Sequence, residues 1–416
     1  MGLEVPKLPF ALRALNTAGA AATRLGLRVT DIGMDALLTA ASSETSLDDF
    51  GDPFFRAPLS ILLESLESEA SLTTLGRMSV REEFVRGLKN RLYMTDVSKQ
   101  NPEITTAPIT KPLFILGLPR SGTSILHELL AQDYDNRVPM TWEVHNVWPP
   151  AERASFSRDP RIEQTQQYLN RIDQIIPGFA QMHAMGARLP QECVAMMAHD
   201  FASLQFHTTF RIPTYQRWFE ALDMGPVYAS HRRQLQYMQW KCPRDHWVLK
   251  SPGHLWTLDA LLDEYPDALI VQTHRDPVKV LASLVSLVTT LRGMASSRVD
   301  PTEIGEDWAK RLSKGLHAAS RVREERRLPP SRIFDMHFHE LLRDEIGMVR
   351  RIYEHFDRDL SAEAEDRMRA FLAEHSREDR GRHAYRFADS GLDADEERHR
   401  FARYQQTFDV PSERLS

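Results

Sequence analysis

Apolar positions along this chain fall into two patterns. The first is the short solid run: residues 113–116, 247–249 and 268–273 are each apolar or nearly so and are closed by Gly, Lys or a charged turn. Runs of that length between turn signals read as strands buried on both faces, and 333–338 is a further candidate of the same kind. The second pattern repeats every three to four residues. It fills residues 1–100, where Asp52-Pro53 interrupts it, and returns in 124–132, 158–240, 255–264, 278–291 and much of the remainder. These segments are predicted to be helices, 278–291 as a long amphipathic one. NPEITTAPITKP, rich in Pro and Thr, ends the first helical region.

Short apolar strands alternating with helices imply an α/β fold, a central parallel sheet flanked by helices. The expected organisation is a helical N-terminal extension over 1–108 and one α/β domain over 109–416, carrying a helical insertion at about 150–240. No internal repeat or low-complexity tract is evident.

Composition narrows the function classes. The chain has 416 residues, 42% of them hydrophobic and 26% charged, with a formal net charge of -6. That balance gives no reason to expect nucleic acid or an anionic membrane as a partner, so an anionic ligand would need a local cationic pocket. Cys193 and Cys242 are the only cysteines and form no CxxC pair, which argues against a disulfide framework or a cysteine zinc site and suits a reducing cytoplasm. No apolar run approaches the ~20 residues of a membrane span. The Met-Gly start has Pro6 where a myristoylation motif needs Ser or Thr. Without a sustained apolar signal core, the N-terminus reads as an amphipathic helix and the protein as cytoplasmic.

The sharpest local signal is GLPRSGTS at 117–124, placed between a predicted strand and a predicted helix. Such a turn presents backbone N–H groups and a helix N-terminus to an anion. Gly117 and Gly122 allow close backbone approach, and Ser121, Thr123 and Ser124 add hydroxyls. The Gly-xxxx-Gly spacing matches a nucleoside-triphosphate loop, but Thr123 stands where that loop carries its lysine. The cation lies inside the loop instead, at Arg120.

A second element follows the strand at 268–273. In THRDPVKVLAS, Arg275 can offer a forked pair of N–H bonds to a phosphate, Pro277 suits the first turn of a helix, and Ser283 follows eight residues after Arg275. Strand, Arg-Ser-Gly-Thr-Ser, helix resembles the 5′-phosphosulfate loop of the sulfotransferases that use 3′-phosphoadenosine 5′-phosphosulfate (PAPS). Arg275 with Ser283 resembles their 3′-phosphate motif, and VLKSPGH resembles the strand-end lysine between the two, here Lys250. The resemblance covers about 110–405 and is similar to a bacterial branch of that family. It implies a P-loop-like sheet and PAPS as co-substrate, with no metal demanded.

Catalysis would then be an in-line displacement, with Arg120 and Lys250 stabilising charge on the leaving oxygen. A hydroxyl acceptor also needs a base. In the well-known cytosolic branch a His follows the lysine by two residues; here that position is Pro252. His183 is the first candidate, in a segment that resembles the bacterial branch, and His254 the second; Glu143 and Glu192 rank third, with capping or ion pairing as the simpler role. Arg382 and His383 lie in a stretch that resembles the family's nucleotide-covering region, so Arg382 joins the expected 3′-phosphate contacts. His337, His339 and Glu340 crowd one segment, but strand alternation would align the two His without a further ligand beside them. The Met- and Phe-rich 179–210 segment could line a pocket for a small-molecule acceptor, an apolar or aromatic alcohol, although plain core is the commoner use of such spacing. The rival enzyme is a nucleotide-dependent kinase or hydrolase on the same fold; a non-catalytic nucleotide-binding protein is the third reading.

Overall fold

The computed structural model describes residues 8–27, 30–175, 185–326, 328–375 and 386–415. Five parallel strands form the sheet: β1 (Leu113–Gly117), β2 (Asn136–Arg137), β3 (His246–Lys250), β4 (Leu269–His274) and β5 (Ile333–His337). Their spatial order is β2-β3-β1-β4-β5, so β1 is central. The two faces of β1 feed different cores, as both-face burial requires. Phe114 and Leu116 pack with Leu249, Ile270 and the helix Pro277–Ala295, whereas Leu113 and Ile115 pack with Leu126, Val248 and Val271.

Four of the strands follow the apolar runs closely. β2 does not, because its two residues are Asn and Arg. Both are buried, and the cost of burying them is offset by hydrogen bonds to most of their polar groups. Asn136 Nδ2 donates to Leu130 O and to the Tyr353 hydroxyl. Arg137 pairs with Glu143 and lies over the rings of Phe156 and Trp247, 5.0 Å from each centroid.

Two expectations need correction. The helix Pro277–Ala295 is not amphipathic: nearly every position is buried, because Asp300 onward folds a second helix, Pro301–Glu325, over one side while the N-terminal helix Thr74–Gln100 covers another. By length and composition alone it is apolar enough to cross a membrane, but it lies within the protein core. The alternation argument for His337 and His339 fails for a different reason. β5 stops at His337 and the helix Phe338–Arg343 begins, so His339 is helical, and the two rings still lie 5.6 Å apart.

The N-terminal helices build a core of their own, centred on Leu59, Leu62, Phe84 and Leu88, and fill it with Phe201, Phe206, Phe210 and Tyr215. The Phe-rich part of the 179–210 segment is therefore packing material. Cys193 and Cys242 are buried free thiols.

Candidate active site

Parallel sheets collect ligands beyond the C-terminal ends of their strands. Here the order β3-β1-β4 sets three chemically useful strand ends side by side, about 5 Å apart. The phosphate loop leaves β1 in the middle. Lys250 ends β3, in register with Ile115, and Arg275 follows β4 directly.

The loop is shaped by three residues of positive φ: Gly117 at 152°, Arg120 at 64° and Gly122 at 90°. A Cβ on Gly117 would sit 2.0 Å from Thr273 Oγ1, and one on Gly122 would sit 2.8 Å from Leu341 Cδ2. The glycines thus let the loop pack down onto the protein beneath it, rather than opening room only above it. Arg120 has no such freedom, and its left-handed backbone costs about 1–3 kcal/mol. The strain is held in place by a hydrogen bond, since Arg120 O accepts from Arg275 Nη1 at 2.6 Å. The Arg120 side chain is exposed.

Ser121 does not offer its hydroxyl to a ligand here. Its Oγ lies 2.5 Å from both Leu118 O and Thr273 Oγ1, buried under the loop, so its contribution to an anion would be through the main chain. Thr123 and Ser124 open the helix Thr123–Leu130, where first-turn N–H groups have no intrahelical acceptor. Thr123 is buried and Ser124 exposed.

Lys250 is the catalytically suggestive cation. It is buried, yet its Nζ reaches Ser124 Oγ at 3.2 Å and forms a close ion pair with Glu192 Oε1. Glu192 arrives because the main chain at 139–141 is stitched to 187–191 by Thr141 N donating to Leu189 O and Gln191 N donating to Pro139 O. Glu192 then occupies the N-cap position of the short helix Cys193–Met197, its side chain turned to Lys250 rather than to the helix N–H groups. The sequence ranked Glu192 low; the fold sets it against Lys250.

His254 is not brought to this cluster. Alternation along β3 and the turn after it send His254 to the opposite face, where it is buried edge-on to Phe114 and its Nδ1 lies 2.7 Å from the Tyr228 hydroxyl. Burial holds its pKa well below the usual imidazole value. Glu143 is likewise spent, in its buried pair with Arg137. His183, Arg382 and His383 lie outside the described residues.

On the other side of the loop, Arg275 stacks 4.1 Å over the Phe338 ring and gives a forked pair of bonds to Glu413, Nε to Oε1 at 2.7 Å and Nη2 to Oε2 at 2.9 Å. Asp276 caps the next helix by accepting from Val278 N, and Pro277 occupies its first turn as the sequence implied. Ser283 is buried on that helix; no hydrogen bond joins it to Arg275 among the described residues. Glu413 carried no sequence signal, because only the fold brings it to Arg275. The Arg275 fork holds a carboxylate in the bidentate geometry by which a guanidinium also binds phosphate oxygens.

A lysine-free phosphate loop flanked by a strand-end lysine and a forked arginine defines a sulfuryl-transfer enzyme rather than a triphosphatase. The Sulfotransferase family profile matches residues 112–363, more than half of the chain, and the chain belongs to that family, whose class is PAPS-dependent. Among solved structures it is similar to sulfotransferase STF1 of Mycobacterium tuberculosis H37Rv, with 32% identity, TM-score 0.80 and coverage of 90% of this chain and 100% of that one. It is also similar to STF9 of Mycobacterium avium, with 30% identity, TM-score 0.85 and coverage of 92% and 98%. A curated relative is the omega-hydroxy-beta-dihydromenaquinone-9 sulfotransferase Stf3 of Mycobacterium bovis, 25% identical over 277 residues, 64% of this chain and 67% of that protein.

Proposed function

We propose that this sulfotransferase moves the sulfuryl group of PAPS to a hydroxyl on an apolar small molecule, with Lys250 and the 117–124 loop at the reacting end and Glu192 as base. PAPS supplies the activated sulfuryl group and a nucleotide leaving group. The observation that carries the reading is the Lys250 ammonium held between Ser124 Oγ and the Glu192 carboxylate at the end of β3.

A loose in-line displacement gains most from charge stabilisation and alignment. The loop N–H groups are set by the backbone before any ligand arrives, so little of their reorganisation remains for the transition state. As Lys250 turns toward the bridging oxygen, its pair with Glu192 opens and leaves the carboxylate to accept the acceptor's proton. Arg275, with Ser283 and Arg382, reads the 3′-phosphate. No metal is required, and two buried free thiols agree with a reducing cytoplasm. The named substrate of Stf3, a hydroxylated menaquinone, supports an apolar alcohol as acceptor.

The test is transfer from PAPS to a panel of long-chain and aromatic alcohols and amines, with and without chelator. Turnover on an alcohol that persists in chelator is expected; transfer to amines alone would refute the acceptor class. Glu192→Gln should lower kcat by about 10²–10³-fold. Near-normal turnover in Glu192→Gln, with loss in His183→Ala, would move the base to His183.

A further inference from the structure

The carboxylate on Arg275 has a consequence for how the nucleotide binds and leaves. Glu413 belongs to a C-terminal strap held by a set of cations. Arg398 Nη2 donates to Glu413 O at 2.9 Å, Lys279 Nζ donates to Arg414 O at 3.1 Å, and Glu413 N donates to Asp276 Oδ2 at 2.7 Å. Asp276 itself is buried and paired with Arg398 at 2.6 Å. The strap is therefore anchored by its main chain, while the Glu413 side chain alone covers the arginine.

The hydrogen bonds of Arg275 leave little choice of replacement. A guanidinium has five N–H bonds. One, on Nη1, is committed to Arg120 O, and the pair on the Nε side is committed to Glu413. An anion that takes the parallel N–H bonds beside Nε must take them from Glu413. The Arg120 contact can persist through that exchange, so the phosphate loop keeps its shape while the fork changes partner.

We propose that Glu413 is an internal competitor for the donor's 3′-phosphate: it neutralises Arg275 in the free enzyme, yields the fork when the nucleotide binds, and by returning to it promotes release of 3′-phosphoadenosine 5′-phosphate (PAP) after transfer. This inference rests on the reading of Arg275 as the 3′-phosphate contact. The pair is partly exposed, with side-chain accessibilities of 14% and 33%, so its closed form is a modest handicap rather than a block. A site whose competent form is a minority binds more weakly by that fraction.

Calorimetry and stopped-flow release with PAP and with adenosine 5′-phosphosulfate (APS), on wild type, Glu413→Ala, Glu413→Gln and Arg275→Ala, separate the two ideas. Glu413→Ala is expected to tighten PAP by about two- to five-fold, mostly through slower release, with Glu413→Gln intermediate and APS affinity unchanged. Unchanged or weakened PAP binding in Glu413→Ala would overturn the competitor role. If Arg275→Ala instead binds PAP as well as wild type does, the reading of Arg275 itself fails, whatever Glu413 does.

Discussion

The two flanks of the phosphate loop solve the same problem in opposite ways. On the β3 side, Lys250 is paired with Glu192 inside the protein, both side chains largely shielded at 4% and 17% accessibility. On the β4 side, Arg275 is paired with Glu413 nearer the surface. Each cation thus meets a carboxylate before any ligand does. A buried pair is costly to break by deleting one partner, because the survivor is left as an uncompensated charge. An exposed pair exchanges readily. On the proposed reading the first carboxylate acts as base and the second is displaced.

Replacing one cation at a time is the strongest way to break this contrast. Lys250→Ala should cut kcat by about 10³-fold, because it removes a charge aimed at the leaving oxygen. Its effect on PAP affinity, measured by calorimetry, should stay below about ten-fold. Equal losses in both would make Lys250 a binding residue only. Arg275→Ala should reverse the emphasis, weakening PAP by about 10–100-fold while altering APS little. A matching loss for both nucleotides would mean that Arg275 supports the loop through Arg120 O and does not read a phosphate.

Ser121→Ala sharpens the contrast from the middle of the loop. Its hydroxyl ties Leu118 O and Thr273 beneath the loop, so the variant should lose about 1 kcal/mol of stability in denaturant titration. Nucleotide affinity should be nearly unchanged. A large loss of affinity at unchanged stability would return Ser121 to the set of direct phosphate donors.

Much of this architecture was legible in the chain itself. Strands β1, β3 and β4 announce themselves because burial on both faces demands apolar runs, while the edge strand β5 shows a shorter, interrupted one. The loop could be placed because only a strand–glycine–helix turn needs that residue pattern. β2 stayed hidden because it is two polar residues, which no apolar run marks, bonded to Leu130 O and the remote Tyr353 for Asn136 and to Glu143 for Arg137. The same limit governs the site. Arg120, Lys250 and Arg275 sit at strand ends, where sequence order alone predicts convergence. Glu192 and Glu413 reach them from 58 and 138 residues away, and no local pattern encodes that approach. His254 shows the converse: four residues from Lys250, it was a reasonable candidate by proximity, yet it faces the opposite core.

If the loop and Arg275 form one site, it binds an adenine nucleotide with phosphates at both the 5′ and 3′ positions. Titration calorimetry of the wild-type protein with PAP, in chelator, against ATP with magnesium tests it most directly. Clear PAP binding in chelator, with ATP weaker by at least about ten-fold, is the predicted result, a gap that a single charge-assisted phosphate contact can supply. Preference for ATP with magnesium, or no PAP binding at all, would contradict it.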